Sequence, residues 1–322
     1  MEYTYLPGSG LEVSKICIGT MNFGHPLEEA EAVRLTHLAL DQGINFIDTA
    51  NSYVNGESEK AVGKAIKGRR DKVVLATKAG FATGPGTNES GLSRKNVLEQ
   101  IDKSLKRLDT DYIDIYYMHV PDYHTPIEES LDVYSTLVRS GKVRTIGISN
   151  FSAWQFCEAV HLSARHSFVA PSVSEMVYNL LTRNLEQELV PFLNRYQKAM
   201  VIYNPLAGGM LSGKHKRGAP PSGSRFATHA SYAPRYWTEE NFAAVDQLAE
   251  IANAEGLPMV EFAMRWCISQ KNVNSIITGF SSEAQLLQNI RSIEGGALSN
   301  EALAACDEVW KQLSGNRFNY IR

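Results

Sequence analysis

Val13-Ser14-Lys15-Ile16-Cys17-Ile18-Gly19-Thr20-Met21-Asn22-Phe23-Gly24 is the passage on which the choice of fold turns. Residues 13–19 read as a short apolar strand, rich in valine and isoleucine. An open doubly wound sheet that binds a dinucleotide places G-x-G-x-x-G directly after its first strand, because glycines let the backbone approach a pyrophosphate. Here the strand runs into Thr20-Met21-Asn22-Phe23-Gly24, which lacks that spacing.

Moving outward, further apolar runs follow at 45–50, 73–78, 112–119, 144–150, 171–179, 200–206 and 273–279, making eight in all. Between and after them lie stretches at 28–42, 58–67, 94–108, 127–140, 153–165, 185–197, 239–255 and 282–293. Their apolar residues recur every three or four positions, the signature of an amphipathic helix. A strand followed by a helix eight times returns each strand to the same end of the sheet, and eight parallel strands at the right tilt close on themselves. The expected fold is therefore α/β, a (β/α)8 barrel occupying residues 1–322 as one domain. Pro7-Gly8-Ser9-Gly10 predicts an N-terminal hairpin, residues 207–234 a long lid-like loop after the seventh strand, and 259–269 and 300–313 added helices.

Bulk properties exclude several classes. A net charge of -3 and a pI near 6.3 provide no field to gather nucleic acid or an anionic membrane. The basic cluster at 67–72 reads as a solvated helix end. Cys17, Cys157, Cys267 and Cys306 lack CxxC spacing, so neither a disulfide frame nor a zinc site is expected, and a reducing cytoplasm fits. The first residues show no signal-peptide pattern and no window approaches ~18 uninterrupted apolar residues. No sequence feature specifies an oligomeric state.

In barrels of this kind chemistry sits where strands end. The second run ends near Asp48 and leads to Tyr53, the third ends at Lys78, the fourth at His119, and the fifth at Ser149-Asn150. Singly, each has an ordinary explanation: a turn aspartate, a surface lysine, a packed tyrosine, a core histidine. Together they would stand at the rim of a dry core, where an unpaired lysine is costly. Lys78 needs an anion, and Asp48 is the candidate.

Five segments in this order, Phe46-Ile47-Asp48-Thr49-Ala50-Asn51-Ser52-Tyr53, Ala76-Thr77-Lys78, Tyr117-Met118-His119, Gly147-Ile148-Ser149-Asn150-Phe151 and Tyr203-Asn204-Pro205-Leu206, resemble the aldo-keto reductase superfamily, and Leu105-Lys106-Arg107-Leu108-Asp109-Thr110-Asp111-Tyr112-Ile113-Asp114 with Leu211-Ser212-Gly213-Lys214 resemble its bacterial and potassium-channel β-subunit-like branches. The resemblance implies an NADPH-dependent oxidoreductase, with NADH as an alternative cofactor, acting on a small-molecule carbonyl or alcohol. It puts the catalytic group on Asp48, Tyr53, Lys78 and His119. Tyr53 would protonate the carbonyl oxygen, with its pKa lowered by Lys78. Asp48 would hold the lysine, and His119, in a tautomer fixed by its surroundings, would steer the oxygen.

The same resemblance assigns Ser149 and Asn150 to the carboxamide and Tyr203 to stacking on the ring. Asn204, Leu206 and the backbone of Gly208 to Ser212 would face the pyrophosphate, and Gly279, Ser281, Gln285 and Asn289 the adenosine, with a helix start at Ser282 open to phosphate. Glu175 stands where many relatives carry glutamine; facing the carboxamide, it would favour the oxidised cofactor. Gln285 replaces an arginine that some branches use for the 2′-phosphate, so Lys214 and Arg225 are the expected substitutes. Met21, Asn22, Phe23, Phe81, Pro121, Tyr123 and the 207–234 loop would line a mostly apolar substrate pocket.

Other readings are open at this level. His119, Asp122 and His124 could suggest a metal, but Pro121 breaks any helix there and no metal is expected. A cofactor-binding regulatory subunit with negligible turnover, and a Schiff-base enzyme using Lys78, complete the alternatives.

Overall fold

The computed structural model describes residues 1–228 and 231–315, so residues 229–230 of the expected lid lie outside the described residues. Barrel strands and helices alternate in chain order. β1 (Tyr3–Tyr5) and β2 (Glu12–Ser14) form an antiparallel hairpin, then β3 (Ile16–Gly19) is followed by α1 (Glu29–Asp41), and β4 (Phe46–Asp48) by α2 (Glu57–Ile66). Next come β5 (Val74–Ala79) with α3 (Arg94–Leu108), β6 (Ile113–Met118) with α4 (Ile127–Arg139), β7 (Val143–Ser149) with α5 (Ala153–His166), and β8 (Val173–Val177) with α6 (Leu189–Tyr196). After β9 (Ala199–Tyr203) the chain forms two short helices, α7 (Arg225–Thr228) and α8 (Ala233–Tyr236), then α9 (Glu239–Ala254) and α10 (Met259–Ser269). It finishes with β10 (Ser275–Thr278), α11 (Glu283–Glu294) and α12 (Asn300–Ser314).

β3 to β10 pair in parallel and in sequence, and β10 closes back onto β3, so the (β/α)8 barrel expected from the alternation is what forms. Two apolar layers result. Side chains alternate across each strand, and those facing outward pack under the helices as one core that includes Ile18, Ile47, Leu75, Tyr116, Met118, Ile146, Met200 and Ile202. Those facing inward, Cys17, Phe46, Ala76, Ile115, Tyr117, Val173, Ala199, Val201 and Ile277, fill the barrel. Leu6 and Val13 from the hairpin plug its lower end. Gly147 makes room for this filling, since a Cβ there would stand 2.3 Å from the Tyr117 ring.

The structure departs from the sequence reading in four places. The 13–19 run serves two sheets: its first part pairs in the hairpin, and Lys15, whose amide bonds Glu2 O, marks the switch to β3. The stretch at 185–197 splits into a 3-10 turn, Asn184–Glu186, and α6, because Pro191 has no N–H and is tolerated only within the first turn of a helix. The 67–72 cluster is more than a solvated helix end. Arg70 donates to Thr110, to the Val73 and Tyr112 carbonyls and to Asp114 at 2.7 Å, and its guanidinium lies over the Tyr112 ring. The 207–234 stretch is less of an open loop than expected: a 3-10 turn, Ala207–Ser212, and α7 and α8 run through it.

Candidate active site

Strand parity brings the site together. With Phe46, Ala76, Tyr117, Val173 and Val201 filling the interior, the positions two residues further along, Asp48, Lys78, His119, Glu175 and Tyr203, face the same interior where the strands end.

Lys78 is completely buried at the centre. Its ammonium lies 2.5 Å from Asp48 Oδ2 and 3.4 Å from Glu175 Oε1. It also donates to the Thr49 carbonyl at 3.0 Å and to the Tyr53 hydroxyl at 3.4 Å. The rings of Tyr53 and Tyr117 flank it at 5.2 and 5.7 Å, within cation–π range. Burial alone would lower the ammonium's pKa, but Asp48, Glu175 and Tyr53 outweigh it and hold Lys78 charged well above the usual range. An amine held charged between two carboxyls is poorly set up as a Schiff-base nucleophile, which needs a free lone pair.

Tyr53 opens a single 3-10 turn, Tyr53–Gly56, in which Val54 and Asn55 adopt φ of 46° and 54°. Left-handed backbone is costly for a β-branched valine, about 1–3 kcal/mol. It persists because α2 is anchored: Ser58 Oγ bonds the Thr20 and Thr49 hydroxyls and the Thr20 carbonyl at the ends of β3 and β4. Lys78 does pull the Tyr53 phenol toward acidity, as expected, but the net shift is upward. Burial pushes the phenol up, Asp48 and Glu175 add to this, and the downward pull of Lys78 is outweighed. Burial is the larger effect, so the phenol stays protonated until a substrate oxygen takes its proton, while the ammonium beside it still favours the phenolate.

His119 stacks edge-on to Tyr53 at 5.9 Å and to Phe81 at 4.4 Å. Burial, then Lys78, keeps the imidazole well below its usual pKa, so it is neutral. Its Nδ1 has no hydrogen-bond partner, so the tautomer is not fixed at that atom as expected.

Glu175 was expected to face outward to a ligand amide, but it also forms part of the lysine's own shell. Burial first, then Asp48, pushes its carboxyl up to about 8. Oε2 is buried without a partner. Around it, Asn150 donates to Ser149 Oγ and the His119 carbonyl, and Tyr203 donates to Asn150 Oδ1 at 2.7 Å, which fixes the tyrosine's ring beside the mouth.

The remaining expected contacts are arranged less openly. Asn204 spends its side chain within the loop, accepting from Gly208 N at 2.6 Å and donating to Tyr236 Oη at 3.0 Å. Leu206 is partly buried and packs against the outer core. Ala207, Gly208 and Gly209 follow with φ of 49°, 69° and 105°. At α11, Gln285 Oε1 accepts from Ser281 N and Oγ, Ser282 caps the helix through Gln285 N, and Asn289 donates to the Gly279 carbonyl. That is the pattern of a self-capped helix end. Lys214 and Arg225 are exposed on the lid, Arg225 lying over the Tyr232 ring at 5.5 Å.

Among the expected pocket residues, Met21, Phe81 and Tyr123 are exposed, with Pro121 partly so. Asn22 is tied to the Phe280 carbonyl at 2.8 Å. Phe23 does not line a pocket: it is fully buried and packs on Phe280 at 5.9 Å. Trp154, missed in the sequence, opens α5 next to Gln155, which bonds the Tyr123 hydroxyl, and is 61% exposed. The signal was a large aromatic at the first turn after a strand end. Asp122 is a turn residue: its oxygens accept from the Leu92 and His124 amides and the Thr125 hydroxyl. A cleft of about 400 Å³ bordered by Tyr3, Asn45 and Arg69 lies at the opposite end and gathers no comparable chemistry.

Known proteins match this arrangement over nearly all of the chain. The model of the Aldo/keto reductase family matches residues 15–311. A protein of Arabidopsis thaliana named as a probable voltage-gated potassium channel subunit beta is 38% identical, covering 91% of this chain and 92% of its own. An aldo-keto reductase of Bacillus subtilis, YhdN, is 34% identical over 94% of this chain and 91% of its own. Aflatoxin B1 aldehyde reductase member 2 of Rattus norvegicus is 32% identical over 95% and 87%. With a closed eight-stranded barrel and a family match along almost its full length, this chain belongs to the aldo/keto reductase family.

Proposed function

We propose that the chain is an NADPH-dependent carbonyl reductase that interconverts small aldehydes or ketones with alcohols, Tyr53 being the proton donor. One observation supports this above the others: the Tyr53 hydroxyl stands 3.4 Å from a buried lysine ammonium, edge-on to a neutral histidine, where the barrel opens. When bound, a reduced nicotinamide supplies the hydride. Tyr53 gives its proton to the substrate oxygen as negative charge builds there, and Lys78 steadies the phenolate left behind. Even with its pKa raised, a phenol remains more acidic than the alcohol it produces. Asp48 and the Thr49 carbonyl fix the lysine, and His119 orients the oxygen without competing for its proton. The unpartnered Glu175 Oε2 and His119 Nδ1 fit a site that a carboxamide and a carbonyl oxygen complete.

Exposed Met21, Phe81, Tyr123 and Trp154 favour an apolar or aromatic substrate body. The four free cysteines suit a reducing compartment, and we place the enzyme in the cytoplasm. Among the described residues, no helix is long and apolar enough to cross a membrane. A regulatory subunit that binds cofactor but turns over negligibly is the second reading, prompted by the likeness to a protein named as a channel subunit. Loss of NADPH absorbance on adding aromatic and aliphatic aldehydes tests both; tight NADPH binding with no turnover across the panel would favour the second.

Arg225 and Lys214 are our assignment for the 2′-phosphate, which arginine suits by charge and fork geometry. Arg225→Ala is expected to raise the KM for NADPH about tenfold or more while changing that for NADH less than twofold. Equal effects on both would remove the assignment.

A further inference from the structure

Glu175 is the unusual member of the mouth. Two carboxyls, those of Asp48 and Glu175, contact one ammonium in a pocket from which water is excluded. Lys78 neutralises one negative charge, and a second has no counter-ion, so one proton stays with the pair. Both carboxyls are pushed up, chiefly by burial, and they lie close enough to share that proton. With both ionised, Glu175 Oε2 has nothing to bond; protonated, it can donate to Asp48 or to a ligand's amide oxygen.

Resting on the cofactor assignment made above, we propose that Glu175 makes cofactor binding redox-selective by a proton: the Asp48–Glu175 pair keeps one proton in the free protein and with reduced nicotinamide, and loses it when oxidised nicotinamide enters. The proton passes from the carboxyl to solvent at the barrel mouth, and the fixed positive charge of the oxidised ring takes its place, so charge in the pocket balances. The ionised carboxylate then accepts from the carboxamide N–H.

Among the described residues, no other group in contact changes charge in the same range. From β3, Cys17 is pushed up by burial, as are Tyr117 on β6, Tyr203 on β9 and Tyr53 on its turn, so all stay neutral. His119 is held neutral and Lys78 charged. Ser149, paired with Glu175 across β7 and β8, does not titrate.

The test is the ratio of dissociation constants, NADP+ over NADPH, followed by fluorescence titration from pH 6 to 9. The 2′-phosphate titrates near 6 in both cofactors and cancels in the ratio. The ratio is expected to fall up to about tenfold per pH unit between pH 6 and 8 and to level off above. Glu175→Gln should make it flat. Calorimetry of the unaltered protein in two buffers of different ionisation enthalpy should record close to one proton released per NADP+ bound at pH 7 and none for NADPH, a result independent of whether the variant folds. A pH-independent ratio in the unaltered protein, the same slope in Glu175→Gln, or binding of NADP+ without proton release would each overturn the proposal. Binding of neither nicotinamide would instead overturn the functional reading on which it rests.

Discussion

Tyr53→Phe is expected to lower kcat for aldehyde reduction by roughly 10²–10⁴-fold, the usual contribution of a positioned proton donor, while the dissociation constant for NADPH stays within about twofold. The two halves of that result come from different parts of the site. The phenol's oxygen is its one polar group, and in the structure its partner is Lys78 at 3.4 Å. The ring's packing against His119 survives in phenylalanine. Groups expected to hold the carboxamide, Ser149 and Asn150, are braced by each other, by the His119 carbonyl and by Tyr203, none of which requires the Tyr53 hydroxyl. Steady-state kinetics together with cofactor titration check the split. A variant with the kcat of the unaltered protein would show that another group protonates the oxygen.

Lys78→Met should be the most damaging single change to both activity and stability. Removing one partner of a buried ion pair leaves uncompensated charge, which costs about 3–5 kcal/mol. Here two carboxyls would be left, so the loss depends on pH with a definite sign. Without the ammonium, Asp48 and Glu175 have folded-state pKa values raised further above their unfolded values of about 4. A group raised in this way contributes stability that is present below its unfolded pKa and lost as pH rises through its folded pKa. The variant is therefore expected to lie about 3 kcal/mol or more below the unaltered protein in urea unfolding at pH 8.5, and to recover at least half of that at pH 5.5. A deficit that is the same at both values would show that the two carboxyls are not the groups left unpaired. Turnover should fall at every pH, since the phenolate loses its counter-ion.

Most of the barrel was legible because it depends on periodicity. α3 and α10 occupy 94–108 and 259–269, the same bounds as the stretches marked out in the sequence, and in the structure the Ser93 hydroxyl caps the first of them. What periodicity does not encode is which sheet a residue joins, and residues 13–19 show this: one apolar run feeds both the hairpin and the barrel. Strand parity also placed the site. Asp48, Lys78, His119 and Glu175 each lie two residues beyond an interior residue, so their meeting at one end follows from alternation alone. The harder features are those set by tertiary competition. Glu175 turns toward Lys78 because the ammonium offers more than an empty mouth does, and no spacing announces that. Val54 is a valine in a left-handed turn, which its type argues against; only the anchoring of Ser58 explains it. Phe23 follows a strand end like a pocket residue, yet the ring of Phe280 draws it into the core.

The arrangement at the mouth has one purpose in this reading: to protonate a carbonyl oxygen while hydride reaches the carbon. Single-turnover reduction of a small aldehyde by NADPH carrying deuterium at both C4 positions tests this directly, with the alcohol analysed by mass spectrometry. The expected product carries one deuterium at the carbinol carbon, formed at a rate that drops in Tyr53→Phe although that variant is equally saturated with cofactor. Alcohol without the label, or label transferred just as fast by the variant, would contradict it.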